Sequence, residues 1–315
     1  MKILVTGSCG YVGTRLVPSL LEQGHQVVGV DTMWFGNFLE DHPQLTLLEA
    51  DVRNIDDIPM DGVDAVIHLA NIANDPCSDL NSKLNWEVNA LATKFLVEKA
   101  IDSGAKQFIF ASSGSVYGVK EEPEVTEDLS LVPISDYNKT KMVSERVLLS
   151  YADEIAIQII RPATVCGYSP RMRLDLSVNI LTMLAVTNGN ITVFGGDQTR
   201  PNIHILDMIG VYHHFLAHPE FTGIYNAGFE NLSIMEIAER AAAKTEAKIT
   251  VTPSNDPRSY RLSSKKLLAT GFVQKYGVDT AIDEVIELFK DGTLENKDEF
   301  HNIKAMKKLG LDKGA

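Results

Sequence analysis

Two residues four apart, Tyr137 and Lys141, are the pair in this 315-residue chain best suited to moving a proton. On a helix that spacing puts both side chains on one face, within reach of a common point. A phenol, with a reference pKa of about 10, is a poor base at neutral pH. An ammonium beside it stabilises the phenolate. Tyr137 could then take the proton of a substrate hydroxyl while hydride leaves the same carbon, or return it in the reverse direction. Ser113 ends a strand-like run upstream and is placed to hydrogen-bond the same oxygen, with Ser112 and Ser115 as neighbours. A Tyr–Lys pair alone says little, because the spacing is common on exposed helices. Its meaning depends on what the rest of the chain supplies to accept the hydride.

The opening turn answers that. TGSCGYVG places Gly7, Gly10 and Gly13, with Tyr11 and Val12 between them, directly after a strand and at the opening of a helix. Glycine there serves a tight turn, the close approach of a pyrophosphate, and close packing of helix on strand. The helix N-terminus offers free N–H groups and the positive end of its dipole to the phosphates. Asp31 closes the second strand, where it can accept from both hydroxyls of an adenosine ribose and would repel an added 2′-phosphate. No Arg stands beside it in the chain, so NAD is expected rather than NADP. Asp51 and Val52 follow the third strand and are expected at the adenine edge. Leu69 and Ala70 end the fourth and are expected to give the cofactor apolar contact. A bound nicotinamide, positively charged when oxidised, would join Lys141 in stabilising the Tyr137 phenolate.

The elements that must position these groups are legible as an alternation. KILVTG, QVVGVD, LTLLEAD, DAVIHLA, KQFIFASS and AIQIIRPATV read as six strands. Helical segments at 11–23, 84–103 and 136–151 lie between some of them, Gly104 stopping the second. Strand–helix alternation of this size predicts an α/β fold, a doubly wound, mostly parallel Rossmann sheet with helices on both faces. After about Gly167 the rhythm changes. Residues 1–167 are read as the dinucleotide-binding domain carrying the catalytic residues. Residues 168–315 are read mainly as a smaller substrate-binding lobe, with room for returns to the sheet. Helices are expected at 234–244 and 281–290, and the charged tail from Asp291 is expected to be a partly ordered surface extension.

Composition narrows the function classes. Lys plus Arg number 29 against 42 Asp plus Glu, a net charge of −13, which argues against a nucleic-acid surface. Three cysteines, Cys9, Cys77 and Cys166, are too few and too irregular for a disulfide framework or a zinc cluster. His68 and the His213–His214 pair lack a metal constellation, so no metal is expected. No basic leader or membrane-length apolar run is present, and a cytoplasmic protein is expected.

With these motifs together, the sequence resembles the extended short-chain dehydrogenases/reductases that act on nucleotide sugars, over nearly the whole chain. TGxxGxxG is present as TGSCGYVG, the strand-four motif as HLA at 68–70, the strand-five motif as SSGSVYG, YxxxK as YNKTK, and RPxNVYG as RPATVCG. The resemblance implies a catalytic triad of Ser113, Tyr137 and Lys141, with Lys141 also on the nicotinamide ribose and Pro162 beside the cofactor. Asn89 matches the asparagine that steadies the active-site backbone and is counted with the cofactor site. On the substrate side it implies Ser113, Ser115, Thr164, Asn179 at the sugar-phosphate region, and Val193 of ITVFGG beside the nucleotide base. Arg200 and Arg258 match two arginines that grip the diphosphate, a task suited to paired guanidinium bonds. His204 and Asp207 are expected to organise the lobe. Members form homodimers through a four-helix bundle that includes the Tyr–Lys helix, and some form tetramers.

The family motifs discriminate the reaction less sharply. Ser113, Gly114 and Ser115 stand where nucleotide-sugar 4,6-dehydratases carry Thr-Asp-Glu, and hydroxyls cannot protonate a leaving group as a carboxylic acid does. The Ser-x-Ser-Val-Tyr pattern is similar to that of 4-epimerases, which oxidise C4, let the ketosugar rotate, and return the hydride to its other face. Thr164 and Cys166 replace the usual Asn and Tyr, and RMRLDLSVN resembles a subgroup including C4 dehydrogenases of GDP-heptoses. Epimerisation of a nucleotide-diphosphate sugar through a 4-keto intermediate is the leading expectation, with net C4 oxidation or reduction as the alternative. An NAD-sensing or structural subunit could lose Tyr, Lys or Arg, whereas this chain retains them.

Overall fold

The computed structural model describes residues 1–254 and 259–312. Its strands are β1 Lys2–Thr6, β2 Gln26–Asp31, β3 Leu45–Glu49, β4 Ala65–His68, β5 Gln107–Ala111, β6 Ala156–Pro162, β7 Thr164–Cys166, β8 Asn190–Phe194, β9 Thr199–His204, β10 Gly223–Ala227, β11 Glu230–Ser233 and β12 Lys248–Thr252. Seven of them form one sheet in the order β10-β6-β5-β4-β1-β2-β3. Every pairing in it is parallel.

Parallel strands buried on both faces must be apolar at nearly every position, and alternate residues must serve opposite faces. Ile3, Val5, Ile67, Ile109 and Ile160 face the helices Gly13–Glu22 and Ile205–Ala217, meeting Leu16, Val17, Leu20, Val211 and Phe215. Leu4, Val66, Phe108, Phe110 and Ile159 face the other way, onto Leu96, Val97, Ala100 and Leu148.

Register sets the position of the site. Thr6 is level with Val30 on one side and His68 on the other, and His68 is level with Phe110. The residues that follow, Gly7, Asp31, Leu69–Ala70 and Ser112–Ser113, therefore emerge along one edge. The chain winds outward in both directions from β1 and β4, so this edge contains the switch point at which a ligand crevice opens.

The rest is smaller. A three-stranded sheet, β11-β9-β7, and a parallel pair, β12-β8, are covered by the helices Ser177–Asn188, Ile234–Thr245 and Val278–Lys290. The chain also returns to the large sheet after residue 167, through the helix Ile205–Ala217 and edge strand β10.

Two local expectations need correction. The helix expected at 84–103 spans Ser82–Asp102 but contains a π turn at Glu87–Leu91. The tail from Asp291 is packed: Leu294, Phe300, Ala305 and Met306 are buried, and Asn302–Lys308 is helical. Among the described residues no helix is long and apolar enough to cross a membrane.

Candidate active site

The glycine turn is built by close contact. Gly7 has φ +72°, and a Cβ there would lie 2.7 Å from the backbone nitrogen of Ala70. At Gly13 it would lie 2.3 Å from the carbonyl oxygen of Gly7. The turn can therefore sit against the end of β4 and under the helix only without side chains. Around it opens a cavity of about 380 Å³. Gly10, Tyr11 and Val12 line it, as do Leu69, Ala70 and Pro162.

At one end stand Asp31, Asp51 and Val52. The Asp31 carboxylate accepts from the N–H of Cys9 at 2.9 Å and from that of Met33 at 2.8 Å, which fixes its direction. Burial raises its pKa, opposed by those N–H groups and by the charge of Arg171. The absence of an Arg next to Asp31 in the chain is thus not an absence in space, because the fold brings Arg171 to this end. The Arg171 guanidinium lies 4.1 Å over the Phe35 ring and donates to Asn302 Oδ1 at 2.5 Å. Asp51 is committed to Arg53 at 2.7 Å, which pulls its pKa down although burial opposes this.

At the other end stand Ser113, Ser115, Tyr137 and Lys141. The helix Asp136–Leu149 is started by Ser135, whose hydroxyl accepts the N–H of Asn138 at 3.2 Å. Asn138 Oδ1 in turn accepts from Ser115 at 2.5 Å, and the Ser113 and Ser115 hydroxyls are 2.7 Å apart. The strand end and helix start are thereby locked together. Lys141, 1% exposed, donates to the Ala111 carbonyl at 2.6 Å and lies 4.7 Å from the Phe110 ring centre. Burial pushes its pKa down to about 7, partly offset by the charge of Glu145. Tyr137 is pushed up to about 12, chiefly by burial and also by the charge of Asp75, against a hydrogen bond from Ser113 and the charge of Arg173. In the bare protein the phenol holds its proton, so its use as a base needs a further positive charge in the cavity.

One turn beyond Lys141, Glu145 accepts from Arg161 Nε at 2.9 Å and Nη2 at 2.6 Å, and from Ser112 at 2.5 Å. Arg161 also reaches Tyr117 at 2.6 Å, and Tyr117 donates to Asn226 at 2.8 Å. This buried network ties the helix to β5, β6 and β10.

Not every expected site residue meets the cavity. Thr164 and Arg200 line it, whereas Asn179, Val193 and Asn89 do not. Asn179 is wholly buried: it accepts the Gly167 N–H at 3.0 Å and donates to Tyr11 at 3.2 Å and the Arg173 carbonyl at 3.0 Å. Its polar atoms brace the turn after β7, behind the cavity lining. Val193 points into the apolar core of the lobe, as strand alternation with Ile191 requires. Asn89 holds the backbone after β4, accepting the Ile72 N–H at 2.7 Å and donating to its carbonyl at 3.1 Å, so it braces the cavity wall from behind. Arg258 lies outside the described residues.

Other residues line the cavity without a motif to announce them: Asn74, Asp75, Arg171, Arg173, Asn302 and Met306. Arg173 makes two 3.0 Å bonds to Asp175, which also accepts from Asn74 at 3.2 Å. Two arginines two apart within RMRLD were the available signal. Among the described residues no group of His, Cys, Asp or Glu could hold a metal ion.

The cavity thus joins a dinucleotide turn to a Ser–Tyr–Lys proton-handling group, and the chain is similar to known proteins over most of its length. The profile of the NAD dependent epimerase/dehydratase family matches residues 3–228. The UDP-glucose 4-epimerase of Lactobacillus helveticus is 27% identical over 296 residues, spanning 84% of this chain and 89% of its own length. MoeE5, solved in complex with UDP-glucuronic acid and NAD, is similar with a TM-score of 0.83 at 25% identity, over 93% of this chain and 100% of its own. The UDP-glucuronic acid 4-epimerase of Bacillus cereus, solved with UDP-glucuronic acid and NAD, gives 0.80 at 27% identity, over 92% and 99%. With most of the chain inside the family match and both halves of the site in place, this protein belongs to the NAD-dependent epimerase/dehydratase family.

Proposed function

We propose that this chain epimerises a nucleotide-diphosphate sugar through a transient 4-keto intermediate, using NAD. The observation that carries the reading is the placing of Tyr137, Ser113 and the buried Lys141 in one cavity with the glycine turn and Asp31. Bound NAD supplies the hydride acceptor and then the hydride donor. Ser113 orients the sugar hydroxyl, Tyr137 takes its proton, and Lys141 provides charge at the nicotinamide end. Arg200, on the cavity wall, serves the diphosphate. The end of β5 offers only hydroxyls, which favours reversible redox over elimination of water.

Net oxidation to a released ketosugar is the second reading, favoured by the Arg173–Asp175 pair that RMRLD contributes beside Tyr137. A turnover assay on a panel of nucleotide sugars, with products followed by NMR and NADH by absorbance, decides between them. A stereoisomer formed without net NADH supports epimerisation, and a ketosugar with stoichiometric NADH overturns it. A homodimer belongs to the same proposal. The π turn inserts one residue between Trp86 and Leu91, and Trp86, Leu91 and Phe95 are exposed, leaving an apolar stripe for a partner's helices. Light scattering giving a monomer mass would sink the dimer.

A further inference from the structure

The last stretch of the chain folds back over the cofactor side of the molecule. Leu294 and Phe300 are buried in the cluster that holds Tyr11 of the glycine turn, and the Phe300 carbonyl accepts the Leu174 N–H at 2.8 Å. The helix Asn302–Lys308 then packs on Asp75–Ser78. Two of its residues, Asn302 and Met306, line the cavity shared by Gly7 and Asp31. Met306 is 2% exposed and lies in one apolar cluster with Val52, with Trp34 and Phe35 packed against it.

Arg171 is the second, independent observation. It is 2% exposed, lines the cavity, and is held from behind by Asn302. Its Nε is buried and has no hydrogen-bond partner among the described residues. A buried donor left unpaired is costly unless a ligand satisfies it. At the Asp31 end, an oxygen of an adenosine ribose or its phosphate would supply that acceptor.

We propose that the C-terminal helix is a strap that completes the adenosine half of the cofactor site. Met306 covers the adenine side, and Asn302 aims Arg171 at the dinucleotide. NAD then leaves only when this helix lifts. The inference rests on the cavity being the NAD site, and it assigns cofactor retention to a part of the chain outside the family match at residues 3–228.

The test uses the full-length chain stripped of nucleotide. NAD is titrated through the fluorescence of Trp34 on the cavity wall, and its dissociation rate is measured by displacement. Met306→Ala and Asn302→Ala are each expected to raise the dissociation rate and Kd about tenfold or more, equivalent to roughly 1.4 kcal/mol. If Met306→Ala does not fold, Asn302→Ala answers alone, since it removes one polar contact on the strap. Values within twofold of the parent in a folded variant overturn the strap. A parent that takes up no NAD overturns instead the cofactor assignment beneath it.

Discussion

At the catalytic end of the cavity the working groups are buried with little charge to balance them, whereas at the adenosine end the two carboxylates are each held by firm partners. Lys141 meets a carbonyl and an aromatic face, while Glu145, one turn away, is given over to Arg161. Asp31, by contrast, is held by two backbone N–H groups, and Asp51 by Arg53, itself 3.0 Å from Glu87. The difference separates two tasks. A group that must gain and lose a proton works best where the two forms are close in free energy, and burial without a counter-charge brings a lysine there. A group that only binds works best when fixed and fully ionised.

The sharpest way to test this division is Tyr137→Phe. Turnover should fall by about 10²–10⁴-fold, the range for losing a positioned acid/base group. NAD affinity measured by titration should stay near the parent value, because the adenosine end is untouched. Turnover within a few-fold of the parent would remove the proton-transfer role. Asp31→Ala is the reciprocal case. It should weaken NAD by about 10–100-fold, as for loss of hydrogen bonds to a charged group, while NADP weakens less. Equal losses for both cofactors would show that Asp31 does not read the ribose.

A third test reads stability rather than turnover or binding. In the ligand-free protein Lys141 titrates at about 7, below the 10.5 of the unfolded chain. Between those values the unfolded state binds more protons, so this group makes stability rise with pH and weakens the fold as pH falls toward 7. Lys141→Met removes that slope. The stability of the parent minus that of the variant, from urea melts, should therefore increase from about pH 7 to pH 10. A flat difference would mean that Lys141 is not titrating as its burial implies.

How much of this was readable in the chain follows the same physics. The strands β1, β2, β4, β5 and β6 are buried on both faces over most of their length, so each reads as an apolar run, while the half-exposed edge strand β3 still reads as LTLLE. β10, GIYNA, was not legible, since its Asn226 is buried as the acceptor for Tyr117 rather than as part of an apolar run. Val193 could have been placed correctly: strand alternation puts it with Ile191 inside and leaves Phe194, 62% exposed, outside. Asn179 could not, because nothing local says whether an asparagine braces a turn or meets a ligand. The tail hides Phe300 and Met306 among charges that all face solvent. Arg171 is remote from Asp31 in sequence, and only the fold makes them neighbours.

The return of the chain to the large sheet has a consequence for how the molecule is made. β6 ends at Pro162, but its outer neighbour β10 begins only at Gly223. A growing chain must therefore hold the nucleotide-binding sheet with a bare edge until much of the lobe has been synthesised. Unpaired strand edges recruit other chains, and pairings distant in sequence form late. A fragment ending at residue 167 would lack β10 and also the helix Ile205–Ala217 that covers one face. A fragment holding the recognisable motifs alone is therefore expected to aggregate, with a bare strand edge and one sheet face uncovered.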